Sequence, residues 1–250
     1  MLDTYTQYIK SFDLKKENIH SNNEFPFSLP ILQGFEEVIF HPNVTYFIGE
    51  NGSGKSTLLE AIAVALGFNP EGGTKNFNFS SFDSHSSLDE HIVIRKGVRK
   101  EKRGFFFRAE TFYNVASYID ELDREPAFSP AIIGSFGGKS LHEQSHGEAF
   151  FATFVEKFQA NGLYILDEPE SALSPIKQLS MLARIHELVQ EDCQFIISTH
   201  SPILMAYPQA KILQLTNQGL QPSLLEDTEH YQMMEQFFTD KDRLLHHLLK

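Results

Sequence analysis

The sequence predicts an α/β fold in which buried parallel strands deliver ligand-binding groups to one edge of a sheet. Three observations predict it. Gly49-Glu50-Asn51-Gly52-Ser53-Gly54-Lys55-Ser56-Thr57 fits G-x-x-x-x-G-K-[ST], a loop whose backbone N–H groups wrap phosphates. The run Val44-Thr45-Tyr46-Phe47-Ile48 before it reads as a buried strand, and Leu58 to Leu66 after it reads as a helix stopped at Gly67. Strand, glycine loop and helix N-terminus thus stand in the order a phosphate site needs, because the helix end presents free N–H groups and a positive dipole. Finally, Leu163-Tyr164-Ile165-Leu166 runs into Asp167-Glu168, and Gln194-Phe195-Ile196-Ile197-Ser198 into Thr199-His200. Such apolar runs are strands buried on both faces, and open α/β sheets bind ligands at the carboxyl ends of their strands.

Ahead of the loop, Tyr8-Ile9-Lys10-Ser11-Phe12 alternates apolar and polar residues, as a half-exposed strand does. Asn22-Asn23 breaks the chain, Phe25-Pro26-Phe27-Ser28-Leu29-Pro30 reads as proline-limited edge structure, and Val38-Ile39-Phe40 leads into the strand of the loop. Residues 68–104 are polar, with Gly72-Gly73 and a serine-rich patch from Ser80 to Ser87. His91 to Arg95 and Gly104 to Arg108, separated across Gly97, predict a hairpin with a buried second strand. Phe112, Val115, Ile119 and Leu122 fall near helical spacing, and Glu125-Pro126 ends that helix. A glycine-rich loop, Ile132 to Ser140, precedes a phenylalanine-rich helix over Glu148 to Gln159. Pro175 to Val189 reads as an amphipathic helix, Ile212 to Leu215 and Leu220 to Leu224 as a hairpin across Asn217-Gln218-Gly219, and Thr228 to Lys250 as an ordinary docked helix.

Composition narrows the class. Hydrophobic content of 41% and charged content of 22% describe a globular chain, and no apolar run approaches the ~18 residues that span a bilayer. The N-terminus, Met1 to Thr6, lacks the pattern of a signal peptide. One cysteine, Cys193, excludes an internal disulfide and points to a reducing, cytoplasmic setting. A net charge of −12 argues against a surface that coats nucleic acid broadly, though a local basic groove remains open. Basic residues cluster once, at Arg95-Lys96 and Arg99-Lys100-Glu101-Lys102-Arg103; the plain reading is a solvated hairpin tip, the alternative a polyanion contact.

The chemistry follows from residue types at these positions. Asn51, Gly52, Ser53, Gly54, Lys55, Ser56 and Thr57 form the expected phosphate cradle of a nucleoside triphosphate. Lys55 would reach the β- and γ-phosphates, and Ser56 with Asp167 would hold Mg2+. Glu168 is placed to orient or deprotonate the attacking water, and His200 to hydrogen-bond the γ-phosphate. His142-Glu143-Gln144-Ser145-His146 spells H-E-x-x-H, which on a helix binds zinc with a third ligand such as Glu148 or His186. Glycines at 134, 137, 138 and 147 argue against a helix through it and favour a loop capping the helix near Glu148.

From Gly49 to His200 the order of motifs resembles the ATP-binding-cassette ATPases. The phosphate loop and Leu163–Glu168 match; Gln144-Ser145-His146-Gly147-Glu148 is similar to the signature loop, with Gly147 lying 20 residues before Asp167. Pro169-Glu170-Ser171-Ala172-Leu173-Ser174 resembles the D-loop, and Ser198-Thr199-His200 the segment of the switch histidine. The resemblance implies a P-loop NTPase fold of ABC-ATPase type, a mixed sheet flanked by helices, spanning 1–250 with a core of 1–107 and 160–250 and a reduced helical arm of about 108–159. It further implies ATP and Mg2+ as cofactors and an ATP-dependent homodimer in which Ser145 and Gly147 act in trans on the γ-phosphate. The chain departs from the family pattern at His146, Glu148 and Ser174, and carries Arg108-Ala109-Glu110 where a Q-loop glutamine is expected. Phe27, 28 residues before Lys55, is a candidate adenine-stacking ring. The spellings around the loop and Asp167 are closer to soluble SMC- and RecF-like ATPases and small stand-alone bacterial ATPases, implying a nucleic acid or soluble effector as partner. The alternative is the motor subunit of a membrane transporter whose channel is a separate chain.

Overall fold

The computed structural model describes residues 7–15, 24–32, 35, 37–75, 86–124 and 146–249. Strands β1 (Ile9–Leu14), β2 (Val38–Ile39) and β4 (Ile92–Lys96) form a small antiparallel sheet in the order β2-β1-β4. A second sheet joins β5 (Arg103–Arg108), β6 (Gly162–Asp167), β7 (Gln194–Ser198), β3 (Val44–Ile48), β8 (Lys211–Thr216) and β9 (Gly219–Ser223), in that order. All of its neighbours run parallel except the β8–β9 hairpin.

The apolar runs are buried on both faces, and alternation decides which side chain goes where. Tyr46, Phe105, Phe107, Tyr164, Leu166, Phe195 and Ile197 face one core, shared with α2 (Phe112–Arg124), α3 (His146–Lys157) and α4 (Pro175–Gln190). Phe47, Phe106, Leu163, Ile165 and Ile196 face the other, filled by α1 (Lys55–Ala65) and by Phe12, Phe35 and Phe40 under the small sheet. Helices and a second sheet thus cover a parallel sheet, as α/β strands without a wet face require.

Three expectations are corrected. The segments at 91–95 and 104–108 are not a hairpin: β4 pairs with β1, while β5 pairs in parallel with β6. The reason is burial. Phe105, Phe106 and Phe107 are all covered, which takes a two-sided sheet, whereas β4 exposes most of its residues and suits a sheet with one wet face. Phe25 to Pro30 is a series of turns leading to a 3-10 turn at Pro30–Leu32, not edge strand. After a short helix, α5 (Pro202–Met205), the C-terminal segment is two helices, α6 (Glu229–Thr239) and α7 (Lys241–Leu248), and neither of these two buries a residue. Asp240 separates them by accepting a hydrogen bond from the Arg243 N–H at 3.2 Å. Met233, Met234 and Phe238 remain exposed, so this is no docked helix.

Candidate nucleotide site

The phosphate loop joins β3 to α1. Gly52 and Gly54 adopt φ of 78° and 97°, a left-handed conformation that glycine enters without a Cβ penalty. Gly54 is the N-cap of α1, so the amides of Ser56 and Thr57 emerge at the positive end of the helix. Lys55 is buried, and its ammonium donates to the carbonyls of Gly49 (3.0 Å) and Glu50 (2.9 Å). Burial lowers its pKa, with Glu168 and Asp167 opposing that effect. Beside the loop lies a cavity of about 390 Å3, walled by Gly49 to Ser53, Pro30, Ile31, the end of β8 and Thr228 to His230.

The carboxyl ends of β5, β6 and β7 meet at α1. Ser56 donates its hydroxyl to Asp167 Oδ1 at 3.2 Å, and the Ser198 hydroxyl bonds to the same oxygen. Asp167 is 4% exposed; burial raises its carboxyl pKa, against the pull of Ser198 and Arg108. Arg108 closes the network, pairing with Glu60 of α1 and standing 3.8 Å from Asp167 Oδ2. Glu168 begins a 3-10 turn over Pro169–Ala172 with φ 49° and ψ 52°, a left-handed backbone rare outside glycine. Its N–H donates to the carbonyl (3.1 Å) and hydroxyl (3.2 Å) of Ser198, which fixes that unusual backbone at the strand end.

His200 stands 3.4 Å from Glu168 Oε1 through Nε2, while its backbone N–H donates to Glu170 Oε1 at 2.6 Å. Its Nδ1 shares a hydrogen bond of 3.1 Å with Nε2 of His230, which comes from the first turn of α6. Burial, then Lys55 and His230, push its pKa down to about 4, so the ring is neutral. Seven buried side-chain polar atoms among the described residues lack a hydrogen bond, and four of them (Ser53 Oγ, Arg108 Nε, Glu170 Oε2 and His200 Nε2) belong to this one edge. Unsatisfied buried groups are costly, so their concentration marks a place built for a polar, charged ligand. A Ser hydroxyl beside a carboxylate is an oxygen donor set suited to Mg2+.

Of the predicted residues, Lys55, Ser56, Asp167, Glu168 and His200 are brought together. Ser145 lies outside the described residues, as do His142, Glu143 and Gln144. Gly147 is in the first turn of α3, where a Cβ would sit 2.1 Å from the Ala172 carbonyl oxygen. The signature-like and D-loop-like segments therefore touch within one chain, at a spot only glycine fits. Among the outer zinc-ligand candidates, Glu148 is exposed and His186 shares a hydrogen bond with the Tyr207 hydroxyl. Phe27 does not line the cavity: its ring packs edge-on against His91 at 4.8 Å. Between the two Q-loop candidates the structure favours Arg108, since Glu110 is largely exposed. Glu60, Glu170, Ser198 and His230 join the site without having been singled out. Glu60 and His230 carry no motif, and a sequence offers no signal for them.

A family model for the AAA domain matches residues 10–144, more than half of the chain. The chain belongs to the AAA-domain family. A second AAA-domain model, whose description names an AbiEii toxin of a type IV toxin–antitoxin system, matches 139–206. An uncharacterized ABC transporter ATP-binding protein of Haemophilus influenzae is 25% identical over 233 residues, covering 86% of each chain. The thiamine import ATP-binding protein ThiQ of Vibrio cholerae is 25% identical over 218 residues, covering 78% of this chain and 80% of that one. A solved SMC head bound to the C-winged helix domain of ScpA aligns with a TM-score of 0.48 at 15% identity, covering 86% of this chain and 97% of that one. The protein is an ATPase of AAA/ABC type. No described helix is long and apolar enough to cross a membrane.

Proposed function

We propose that this AAA-family protein is a Mg2+-dependent ATPase switch, working in the cytoplasm as an ATP-dependent homodimer with nucleic acid or a soluble effector protein. The whole chain acts as one ATPase domain, its core 1–107 and 160–250 carrying the phosphate loop and its arm, about 108–159, the signature-like segment. The observation that carries the reading is the meeting of Lys55, Ser56, Asp167, Glu168 and His200 at one sheet edge. Asn51 to Thr57 cradle the phosphates, and Ser56 with Asp167 would hold the metal. Held there, Mg2+ would supply positive charge against the charge that develops on the phosphates. Glu168 takes the proton of a water whose oxygen bonds to the γ-phosphorus as the bond to the bridging oxygen breaks and ADP leaves. His200, neutral, donates from Nε2 to the γ-phosphate; its Nδ1 then accepts from Nε2–H of His230, which fixes the tautomer. Ser145 and Gly147 of the second copy complete the site.

Glu168→Gln tests this. ATP should bind while turnover falls by about 10²–10⁴-fold, and an ATP-bound dimer should accumulate by light scattering. Wild-type turnover in that variant would remove Glu168 from the role of base. The second reading, a motor subunit for a membrane transporter, is favoured by relatives such as the thiamine import protein; the toxin–antitoxin description of one family model favours the first. Purifying tagged Glu168→Gln with ATP from its host separates them. Recovery of an integral membrane protein, whose addition alone raises turnover of the wild-type enzyme, selects the transporter; wild-type turnover raised by nucleic acid or by a recovered soluble protein selects the switch.

A further inference from the structure

A second concavity among the described residues, about 760 Å3, lies away from the phosphate loop. It sits where β5 and β6 begin, at Arg103 and Gly162, the sheet edge opposite the one that ends in Arg108 and Asp167. Seven lysines and arginines line it against a single carboxylate, Glu101, on a chain whose net charge is −12. Because β4 and β5 belong to different sheets, residues 97–102 are not a hairpin tip; they cross between two sheets and form one wall.

That wall is fixed. The Arg99 guanidinium donates to Asp192 Oδ2 (3.0 Å) and Asn161 Oδ1 (3.1 Å), and the Lys102 N–H donates to the Asn161 carbonyl (3.0 Å). Both ends of the wall are seated so closely that a Cβ on Gly97 would lie 1.7 Å from the Gln7 carbonyl oxygen and one on Gly104 2.7 Å from the Phe68 ring. Arg99 and Lys75 are spent on ion pairs, with Asp192 and Glu101. Lys96, Lys100, Lys102 and Arg103 are exposed and make no ion pair among the described residues.

We propose that this groove binds the phosphodiester backbone of a nucleic acid, an inference that rests on the reading of the ATPase as a switch acting with nucleic acid. The free cations are strung along a wall rather than converged on one point, which suits repeated charges on a chain better than a single phosphate. The aromatic rings at the groove, Tyr8 and Phe105, are buried, so no ring is offered to stack on a base. Contact is therefore with phosphates alone, independent of sequence and steeply dependent on salt.

The test measures anisotropy of labelled single strands and duplexes of unrelated sequence across a sodium chloride series, with wild type and a Lys100→Ala/Lys102→Ala variant. Wild type should bind all sequences alike. The variant should bind about tenfold more weakly, its slope of log K against log salt smaller by about 2, with ATP turnover in the absence of nucleic acid unchanged. Binding by wild type that the variant reproduces in affinity and slope would overturn the groove and leave the nucleic-acid reading standing. No binding by a wild type that hydrolyses ATP would overturn both, and leave the ATPase assignment untouched.

Discussion

The two ends of the β5–β6 pair differ in kind. Where the strands finish, Asp167 is buried and Arg108 half-buried, both hydrogen-bonded to neighbouring elements and flanked by polar atoms without partners. Where they start, Lys100, Lys102 and Arg103 lie exposed on a wall that needs no ligand to hold it. A buried charge works at short range in a poorly screened setting, so one atom out of place matters greatly. Exposed cations act through a summed field that salt weakens and that no single residue controls. One sheet thus offers a sharp, all-or-none edge and a graded one.

Lys55→Ala should test the sharp edge with the largest effect in binding. Its ammonium is the buried cation of the loop, and loss of charged hydrogen bonds costs about 1.5–3 kcal/mol, or roughly ten- to hundredfold in ATP affinity by calorimetry. Salt should alter that ratio little; a ratio that collapses at high salt would mean the two edges obey the same rule. His230→Ala asks for less. It removes the partner of His200 Nδ1, a neutral hydrogen bond worth about 1 kcal/mol, so turnover should fall about fivefold with ATP affinity kept and His230→Gln restoring part of the rate. Unchanged turnover would leave α6 outside the site.

The smallest effect is in pH. His200 is held neutral in the fold, its pKa about 4 against the ordinary 6.5. Between those values the unfolded chain takes up a proton that the folded chain refuses, so this stability is present above 6.5 and is lost as pH falls toward 4. Lys55, Glu168, Glu170 and His230 face the ring, and the buried carboxyls of Asp167 and Glu170, with raised pKa, shift stability the opposite way. The informative quantity is therefore a difference: wild type should lose more melting temperature across that window than His200→Gln. Equal losses would show that the ring titrates normally.

Much of the site could be read in order along the chain. The phosphate loop, the strand ending at Asp167 and the strand leading to His200 were legible because each is contiguous: glycine positions, apolar runs and a terminal charge report local backbone and burial. The end of α1 was legible for the same reason, at Gly67, whose φ of 89° suits glycine.

What the sequence by itself determined, then, is which segments around the site become strands, loop and helices, and which charged residues stand at the strand ends, while Phe25 to Pro30 and the break at Asp240 escaped it. Tertiary structure alone decided which strands become neighbours. That choice sent β4 to β1 and β5 to β6, turned a basic stretch from a tip into a wall, and set Arg108 between Glu60 and Asp167. It also twisted Glu168 into a left-handed backbone held by Ser198 and brought His230 to His200 across thirty residues. The physical reason is range. Backbone preferences and side-chain period are written in neighbouring residues, whereas pairing and charge networks come from the competition to bury apolar surface over the whole chain, with polar groups settling among whatever that competition brings together.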